Sequence, residues 1–451
     1  MTRAVLTSTP CSKTCAVNET LIVLMGTNVA GTLERGANNL LRFEYAAAYA
    51  ASPGSTPLSL SMPIAVRVHA DTAARRTVSN FLWGLLPDNE LVLDRWARHY
   101  QIRGTSPFFL LGTPVGEDCA GAVAFCQPGD VSSHQAREST VEWLTENDIA
   151  DLLRDLRRDR TTWLGRDFSG QFSLAGAQAK TALLYQDGRW GRPTGAHPTT
   201  HILKPAPEGW VDQEINEHLC LDAARRAGLI TSRSHIARFD DQTAMVIERY
   251  DRVPGRGTIA RVHQEDLCQA MGLHPSMKYE TSGGPSTRSI ADLLRRTMPA
   301  RDAEKAITRF VDALAWNWVI AGTDAHAKNY SVLLDRREVR LAPLYDLSSI
   351  LPYLGERDPD GLMIDERRMR MAMKIGGEYN LAPPRNTWPQ AAAELGLRPD
   401  AVVARVRGLT EAAPAAFAAA ADALVAAIDS PVVRRLVDGV ADRAERCAAV
   451  L

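Results

Sequence analysis

AGTDAHAKNY, residues 321–330, is a polar loop between two regular elements. Within six positions it holds an acid, an imidazole, an amine and an amide: Asp324, His326, Lys328 and Asn329. The run before it repeats apolar residues at helical spacing, and the run after it has the pattern of a β-hairpin. Loops between regular elements carry chemistry more often than element interiors do. The stretch therefore predicts a functional loop whose meaning depends on residues elsewhere in the chain.

Two aspartates and an asparagine follow the order that phosphoryl transfer requires. Asp324 and Asn329 are separated by four residues, and Asp346 lies seventeen residues beyond Asn329, across the predicted hairpin. In a kinase-like catalytic loop one Asp accepts the proton of the attacking hydroxyl, while an Asn and a second Asp hold Mg²⁺ through hard oxygen ligands. We predict Asp324 as the base, with Asn329 and Asp346 as the metal ligands. Lys328 is predicted to neutralise the transferring phosphate, and His326 to be a hydrogen-bonding group rather than a metal ligand.

The chain before this loop supplies groups suited to holding a nucleotide. SLAGAQAK, residues 173–180, is a small-residue loop predicted between two strands, and it has no G-x-G-x-x-G pattern. Lys204 ends a strand 24 residues after Lys180, and Glu217 in the next predicted helix is expected to pair with it. Glu214 is a near-equal alternative for this pair. The predicted phosphate-binding set is Ser173, Ala175, Gly176, Ala177, Gln178, Lys180, Lys204 and Glu217.

Each of these residues also has an ordinary structural explanation. An Asp and an Asn five positions apart are a common feature of surface turns, a strand-end lysine is commonly solvated, and a helix glutamate commonly faces water. The functional interpretation rests on their order and spacing taken together. The elements follow the order expected of a two-lobed kinase. This order is a strand, the small-residue loop, a second strand, the strand with Lys204, the helix with Glu217, a linker, a helix, the loop with Asp324, a hairpin and finally Asp346.

Composition indicates a chain without a general affinity for nucleic acid or membranes. The net charge is −1, from 52 Lys and Arg against 53 Asp and Glu, and 45% of the residues are hydrophobic. The seven cysteines are odd in number and scattered, which favours a reducing cytoplasm over a disulfide framework. No run approaches the length of a membrane span, so we expect a cytoplasmic protein with no membrane partner.

The pattern predicts an α+β chain with several domains. We expect a flexible extension over 1–18, a small N-terminal α+β subdomain over 19–128, and a linker over 131–140. A kinase N-lobe with the phosphate loop is predicted over 140–255. A mostly helical C-lobe with the catalytic loop is predicted over 256–451.

Seven segments in this order resemble the HipA-type serine/threonine kinases, the toxin halves of bacterial toxin–antitoxin pairs. They are FSLAGAQAKTALL (172–184), HILKP (201–205), NEHLC (216–220), MVIERYDR (245–252), HQEDLCQAMG (263–272), GTDAHAKNYSVLL (322–334) and LAPLYDLSS (341–349). Three earlier segments resemble the small subdomain of full-length members: PLSLSMP (57–63), FLWGLLPDN (81–89) and GEDCAGAV (116–123).

The resemblance implies specific roles and partners. Lys204 would contact the phosphates of ATP, and Glu248 and Tyr250 would lie against its adenine. Ser173 matches the loop serine that such kinases autophosphorylate, which would expel the loop and silence the enzyme. The family also implies a helix-turn-helix antitoxin of the HipB type that carries the DNA contacts. The implied substrate is a protein serine, with glutamyl-tRNA synthetase the best-known target in the family.

Two other functions remain open from the sequence. A phosphotransferase acting on a small molecule could use the same Asp-x₄-Asn loop. A non-catalytic co-repressor module for the antitoxin is a second alternative, although it would not need Lys204, Asp324, Asn329 and Asp346 together. The role of His263 in the segment HQED, and that of TSGGPSTR (281–288), are not indicated by the sequence.

Overall fold

The computed structural model describes residues 19–451 apart from 37, 103, 133–139, 196, 256–258, 337, 383 and 425–427. The predicted extension over 1–18 and most of the predicted linker over 131–140 lie outside the described residues. Within the described part of the chain, no helix is both long and apolar enough to cross a membrane.

The first 110 or so described residues build a small sheet covered by short helices. Its antiparallel strand order is β4-β3-β2-β1-β5. The strands are β1 (Glu19–Met25), β2 (Asn28–Arg35), β3 (Leu41–Tyr45), β4 (Val68–Ala70) and β5 (Val123–Cys126). The helices are α1 (Ala47–Ala51), α2 (Thr77–Gly84), α3 (Glu90–His99) and α4 (Pro107–Leu111). The sequence of residues 78–100 predicts two amphipathic helices separated at Pro87, and this is confirmed, because α2 ends before this proline and α3 begins after it.

The middle of the chain forms a six-stranded sheet in the order β10-β11-β9-β7-β8-β6. Its strands are β6 (Val141–Leu144), β7 (Thr181–Gln186), β8 (Arg189–Pro193), β9 (His201–Lys204), β10 (Ser234–Phe239) and β11 (Gln242–Glu248). Helices α5 (Glu146–Arg158) and α6 (Gln213–Arg226) accompany it. Asp187 and Gly188 form the predicted tight turn, and both have positive φ, as the favoured two-residue hairpin turn requires.

One predicted strand is absent from this sheet. The segment before the small-residue loop was expected to be a strand, but Ser173 makes only an isolated bridge to Cys119. The segment contacts the N-terminal subdomain instead, where the carbonyl of Asp118 accepts the Ser173 N–H at 3.0 Å. The backbone therefore finds its hydrogen bonds in another part of the molecule, which local pattern does not indicate.

The remainder contains the main helices and three small sheets. The strands are β12 (Arg252–Pro254), β13 (Ile259–Arg261), β14 (His263–Asp266), β15 (Ser331–Asp335), β16 (Glu338–Leu341), β17 (Arg370–Ile375) and β18 (Glu378–Asn380). The helices are α7 (Leu267–Ala270), α8 (Thr287–Thr297), α9 (Ala300–Val319), α10 (Thr387–Glu394), α11 (Pro399–Ala423) and α12 (Pro431–Ala448). The predicted hairpin is β15–β16. The segments β14 and β17–β18 are short strands within a C-terminal part that is mostly helical, as expected.

Two hydrophobic cores leave a cleft between them. One core joins the N-terminal subdomain to one face of the six-stranded sheet, through residues such as Phe81 and Leu203. The other packs α6 with the C-terminal helices, through residues such as Leu219 and Phe310. The apolar stripe predicted for α9 lies within this second core. The predicted site residues lie where the two cores meet.

Candidate active site

A cavity of about 380 Å³ collects almost every residue that the sequence singled out. It is bordered by the six-stranded sheet, the N-terminal subdomain and the loop after α9. The predicted residues that line it are Ala175, Gly176, Ala177, Gln178, Lys180, Lys204, Glu217, Glu248, Tyr250, Asp324, His326, Lys328, Asn329 and Asp346. Ser173 is the predicted residue that does not line it.

Lys204 binds two carboxylates at the centre of this cavity. Its ammonium lies 2.8 Å from Glu217 Oε1 and 3.2 Å from Oε2, and it also bonds to Asp346. The expected pair with Glu217 is therefore confirmed. Glu214, the alternative partner, is buried elsewhere, with Arg157 at 3.9 Å as its ion-pair partner.

Backbone and amide contacts fix where these carboxylates point. Asn216, the neighbour of Glu217 on α6, accepts from the Ser349 N–H at 3.1 Å and donates to the Ser349 carbonyl at 2.7 Å. The Ser349 hydroxyl donates to the carbonyl of Ile320, at the end of α9. These bonds tie α6, the segment that carries Asp346 and the start of the catalytic loop to one another.

Electrostatics keep Lys204 and Asp346 ionised, whereas burial raises the pKa of Glu217 to about 7. Burial would lower the pKa of Lys204, but Asp346 and Glu217 outweigh it and hold that pKa well above its ordinary value. Burial would raise the pKa of Asp346, but Lys204 and Lys180 outweigh it and hold that pKa well below its ordinary value. Asp346 is therefore a carboxylate at neutral pH and available to a cation.

The predicted catalytic loop, residues 321–330, is held in shape by its own polar groups. Residues Ala327–Asn329 form a single 3₁₀ turn. The Asn329 side-chain nitrogen donates to the Asp324 carbonyl at 2.9 Å, and the His326 N–H donates to the same carbonyl at 2.8 Å. The Asp324 carboxylate accepts the hydroxyl of Tyr279. The Asn329 nitrogen is thus committed to the loop, which leaves its oxygen for a ligand.

The donor atoms fit a magnesium ion that is shared with a phosphate. No group of three or more His, Cys, Asp or Glu that could hold a metal occurs among the described residues. Mg²⁺ is commonly bound by one or two protein oxygens together with substrate phosphates, rather than by an all-protein cage. The Asp346 carboxylate and the Asn329 oxygen, both at the cavity, are a set of that kind.

The small-residue loop forms a close-fitting wall of the cavity. Gly176 has φ +106, and a Cβ there would lie 2.7 Å from the Lys180 ammonium. Lys180 donates to the Ala175 carbonyl at 2.8 Å and lies over the ring of Trp163. Burial, assisted by Lys204, lowers the pKa of Lys180 to about 7. Two lysines of one cavity therefore have opposite pKa shifts.

Ser173 lies behind this wall, away from the cavity. It is fully buried, and its hydroxyl donates to the Leu85 carbonyl at 2.7 Å. A phosphoryl group cannot reach that hydroxyl in this arrangement. Autophosphorylation at Ser173 stays a prediction, and it requires the segment to leave this position first.

The segment that joins the two halves of the cleft carries Glu248 and Tyr250. Glu248 is exposed at the end of β11, whereas the Tyr250 hydroxyl bonds to Gln264. The Tyr250 ring lies 6.0 Å from that of Tyr345. Burial raises the pKa of the Tyr250 hydroxyl above its ordinary value, so this tyrosine stays neutral.

The His326 imidazole packs against an aromatic ring. Its ring packs edge-on against Tyr279 with 5.0 Å between centroids, and its Nδ1 is buried without a hydrogen-bond partner among the described residues. Burial lowers the pKa of the imidazole, which favours its neutral form. The hydrogen-bonding role of His326 therefore stays a prediction, with Nδ1 as the nitrogen that has room for a further partner.

Sequence reasoning missed Asp88, Lys278 and Tyr279, which contact the loop that carries Asp324 and Lys328. Asp88, from the N-terminal subdomain, binds Lys328 and lies 3.4 Å from Lys278, while Tyr279 binds Asp324. Lys328 was expected to approach the transferring phosphate, and its pairing with Asp88 was not predicted. The segment with Asp88 was noted only for its resemblance, because nothing local shows that it meets a loop 240 residues later.

Comparisons with known proteins agree over most of the chain. Residues 21–126 match the HipA N-terminal domain, and residues 172–417 match the HipA-like C-terminal domain. Y4mE of Sinorhizobium fredii is 33% identical over 425 residues, covering 92% of this chain and 96% of that protein. The serine/threonine-protein kinase toxin HipA of Shewanella oneidensis is 28% identical over 337 residues, covering 72% and 71%.

A solved structure shares the fold. A chain from the complex of Shewanella oneidensis MR-1 HipA, HipB and operator DNA superposes with a TM-score of 0.77 at 24% identity. It covers 94% of this chain and 97% of its own length. The predicted mixed α+β architecture is thereby confirmed. With both domain matches in order and a relative at 33% identity, the chain belongs to the HipA family.

Proposed function

We propose that this chain is an ATP- and Mg²⁺-dependent serine/threonine protein kinase that acts as a HipA-type toxin. The observation that carries the proposal is the Lys204–Glu217–Asp346 group, which shares one cavity with the catalytic loop. The relative that is named a serine/threonine-protein kinase toxin supports the same activity class.

In this proposal the acidic side chains accept the proton and hold the metal, and the basic side chains bind phosphate. Asp324 accepts the proton of a serine hydroxyl, and Tyr279 orients the Asp324 carboxylate. Asn329 and Asp346 would hold Mg²⁺, and Lys204 would hold the phosphates of the nucleotide, kept in place by Glu217. When bound, ATP supplies the phosphoryl group, whose developing negative charge lies near Lys328.

We also propose that Ser173 is the site of self-inactivation. A phosphate there carries roughly −1.5 to −2 charges. The Ser173 hydroxyl faces the Leu85 carbonyl, which is a hydrogen-bond acceptor. An acceptor repels the negatively charged oxygens of a phosphate. A modified segment could not return to this position, so the wall of the cavity that includes Gly176 would be lost.

The partners follow from the family. The chain that is similar in fold was solved with HipB and operator DNA, which supports a HipB-type helix-turn-helix antitoxin as partner and indirect contact with DNA. The substrate is a protein serine, with glutamyl-tRNA synthetase as the candidate that the resemblance implies.

Intact mass and phosphopeptide mapping after incubation with ATP and Mg²⁺ test the proposal. The wild type should gain phosphate on Ser173, and Asp346→Ala should gain none. Asp335→Ala is the matched control, because Asp335 is exposed at the far end of the same hairpin. It should behave as the wild type. Absence of phosphate on the wild type, with the nucleotide bound, would contradict a protein kinase and favour a small-molecule phosphotransferase or a co-repressor.

A further inference from the structure

One carboxylate from the N-terminal subdomain reaches the proposed phosphate end of the cavity. Asp88 lies in the turn between α2 and α3, yet it lines the cavity together with Lys278 and Lys328. One of its oxygens binds the ammonium of Lys328, and the other lies 3.4 Å from that of Lys278. The side chain of Lys328 is only 4% exposed, so Asp88 takes the place of water as its counter-ion.

The same segment also holds the small-residue loop. The Asp88 N–H donates to the Gly176 carbonyl at 3.0 Å, and Pro87 forms an isolated bridge with Gly176. Two residues earlier, the Leu85 carbonyl accepts the Ser173 hydroxyl. Residues 85–88, which we call the coupling segment, therefore contact both the phosphate loop and the catalytic loop.

The contacts on Lys278 complete the arrangement. The Lys278 carbonyl accepts the Ala327 N–H at 3.1 Å, and the next residue, Tyr279, binds Asp324. Residues 278 and 279 therefore contact the same loop that carries both Lys328 and the proposed base, Asp324. Burial would raise the pKa of Asp88, but Lys328 and Lys278 outweigh it and keep this carboxyl ionised.

We propose that Asp88 is a positioning residue that orients Lys328 for phosphoryl transfer and thereby couples the catalytic loop to the position of the phosphate loop. The proposal rests on the proposed kinase function. A flexible lysine stabilises a developing charge only if its ammonium is held in place, and misplacement by about 1 Å can cost roughly 100-fold in rate. The N-terminal subdomain is then a part of the active site rather than an appendage.

Steady-state kinetics of the full-length protein with ATP and Mg²⁺ test this role. Asp88→Asn keeps the backbone bond to Gly176 and removes the charge that holds Lys328. It should lower kcat by about 10-fold to 100-fold with little change in the KM for ATP. Lys328→Met should give a similar loss, and the double variant should be no slower than Lys328→Met alone. Independent, multiplying losses or an unchanged kcat in Asp88→Asn would overturn the proposal.

A control separates positioning from loss of folding. Asp71 is a buried carboxylate of the same subdomain that accepts from the Val78 and Ser79 N–H groups at the start of α2. Asp71→Ala should lower the unfolding midpoint and leave kcat per folded molecule unchanged. Equal kcat losses in Asp71→Ala and Asp88→Asn would show a structural effect only, against the proposal.

The pairing of Asp88 with Lys328 can be tested independently of the kinase function. Urea unfolding of Asp88→Asn, Lys328→Met and the double variant gives a double-mutant cycle that needs no activity. Non-additive unfolding free energies are expected, because Asp88→Asn leaves the buried Lys328 ammonium without its counter-ion and Lys328→Met leaves Asp88 with Lys278 alone. Additive values would overturn the pairing itself, whatever the wild type phosphorylates.

Discussion

Lys204 and Lys180 show how partners, rather than residue type, determine charge at this site. Both ammonium groups are buried in one cavity. Lys204 has two carboxylates within reach and stays charged, whereas Lys180 has a carbonyl and the face of an indole. Burial is therefore offset in one case and not in the other, and the pKa of Lys180 falls to about 7.

The depressed pKa of Lys180 predicts a pH-dependent stability. The folded-state pKa of about 7 lies below the ordinary value of 10.5, so the unfolded chain binds the proton more tightly between these values. Burial of the Lys180 ammonium therefore destabilises the folded state fully below about pH 7, and this destabilisation falls as the pH rises toward 10.5. Replacing Lys180 by Met should therefore improve stability most at pH 7 or below, relative to the wild type. Unfolding midpoints of both proteins at pH 6.5 and pH 9.5 measure this, and a difference that grows with pH would contradict it.

Asp324 is predicted to act as the base rather than as a structural group. Asp324→Asn retains an oxygen for Tyr279 but cannot accept the substrate proton, so kcat should fall by about 10²–10⁴-fold. Tyr279→Phe removes only the orienting bond and should cost less than Asp324→Asn. Initial rates with saturating ATP distinguish the two, and a greater loss in Tyr279→Phe would argue against this assignment.

At the scale of elements, the phosphate loop depends on one backbone conformation. Gly176 has φ +106, a region that side chains with a Cβ disfavour by roughly 1–2 kcal/mol. Gly176→Ala should therefore weaken binding of a non-hydrolysable ATP analogue by about 5-fold to 30-fold, as calorimetry would measure. Gly188→Ala is the control, since Gly188 has φ +76 in an open hairpin turn outside the cavity. It should lose stability but not affinity, and equal affinity losses would refute the local explanation.

Elements with a clear hydrophobic periodicity or a clear turn signal were predictable from the sequence. Strands that form only by pairing with a strand far away in the sequence were not. The stripe Ile307, Phe310, Val311, Leu314 and Trp318 identified α9, because helical spacing places these residues on one buried face. The strand β14 pairs with β15, which lies more than 60 residues later. Its sequence HQED has no apolar alternation, so only the partner strand makes it a strand.

On the scale of the whole molecule, the segment HQED attaches the N-terminal subdomain. His263 Nε2 donates to the Leu58 carbonyl at 2.9 Å, and Glu265 accepts the Leu60 N–H at 2.7 Å. Burial lowers the pKa of His263 to about 4, so the imidazole is neutral at physiological pH. His263, to which the sequence assigned no chemistry, is thus a docking residue.

A buried ion-pair cluster joins the same parts of the chain. Asp118 binds Arg252 at 2.7 Å and Arg249 at 3.2 Å, and all three side chains are almost fully buried. Asp118→Ala should cost about 3–5 kcal/mol of unfolding free energy, because it removes one of the two carboxylates that neutralise the buried guanidinium groups and leaves only Asp251. The exposed pair of Arg154 and Asp241 is the control, and Asp241→Ala should cost much less, because water screens this pair. Urea unfolding measures both, and similar values would mean that Asp118 is not a joint between the two parts.

The sequence by itself determined the family, the order of the main elements and the candidate residues for phosphoryl transfer. It could do so because helical periodicity, turn residues and the spacing of Asp324, Asn329 and Asp346 are local properties of the chain. Only the tertiary structure decided which charges meet. It places Lys328 against Asp88, keeps Ser173 buried under Leu85 and gives His263 a docking role. These contacts join residues 88 to 240 positions apart, and the energy of a buried charge depends on its surroundings rather than on its neighbours in sequence.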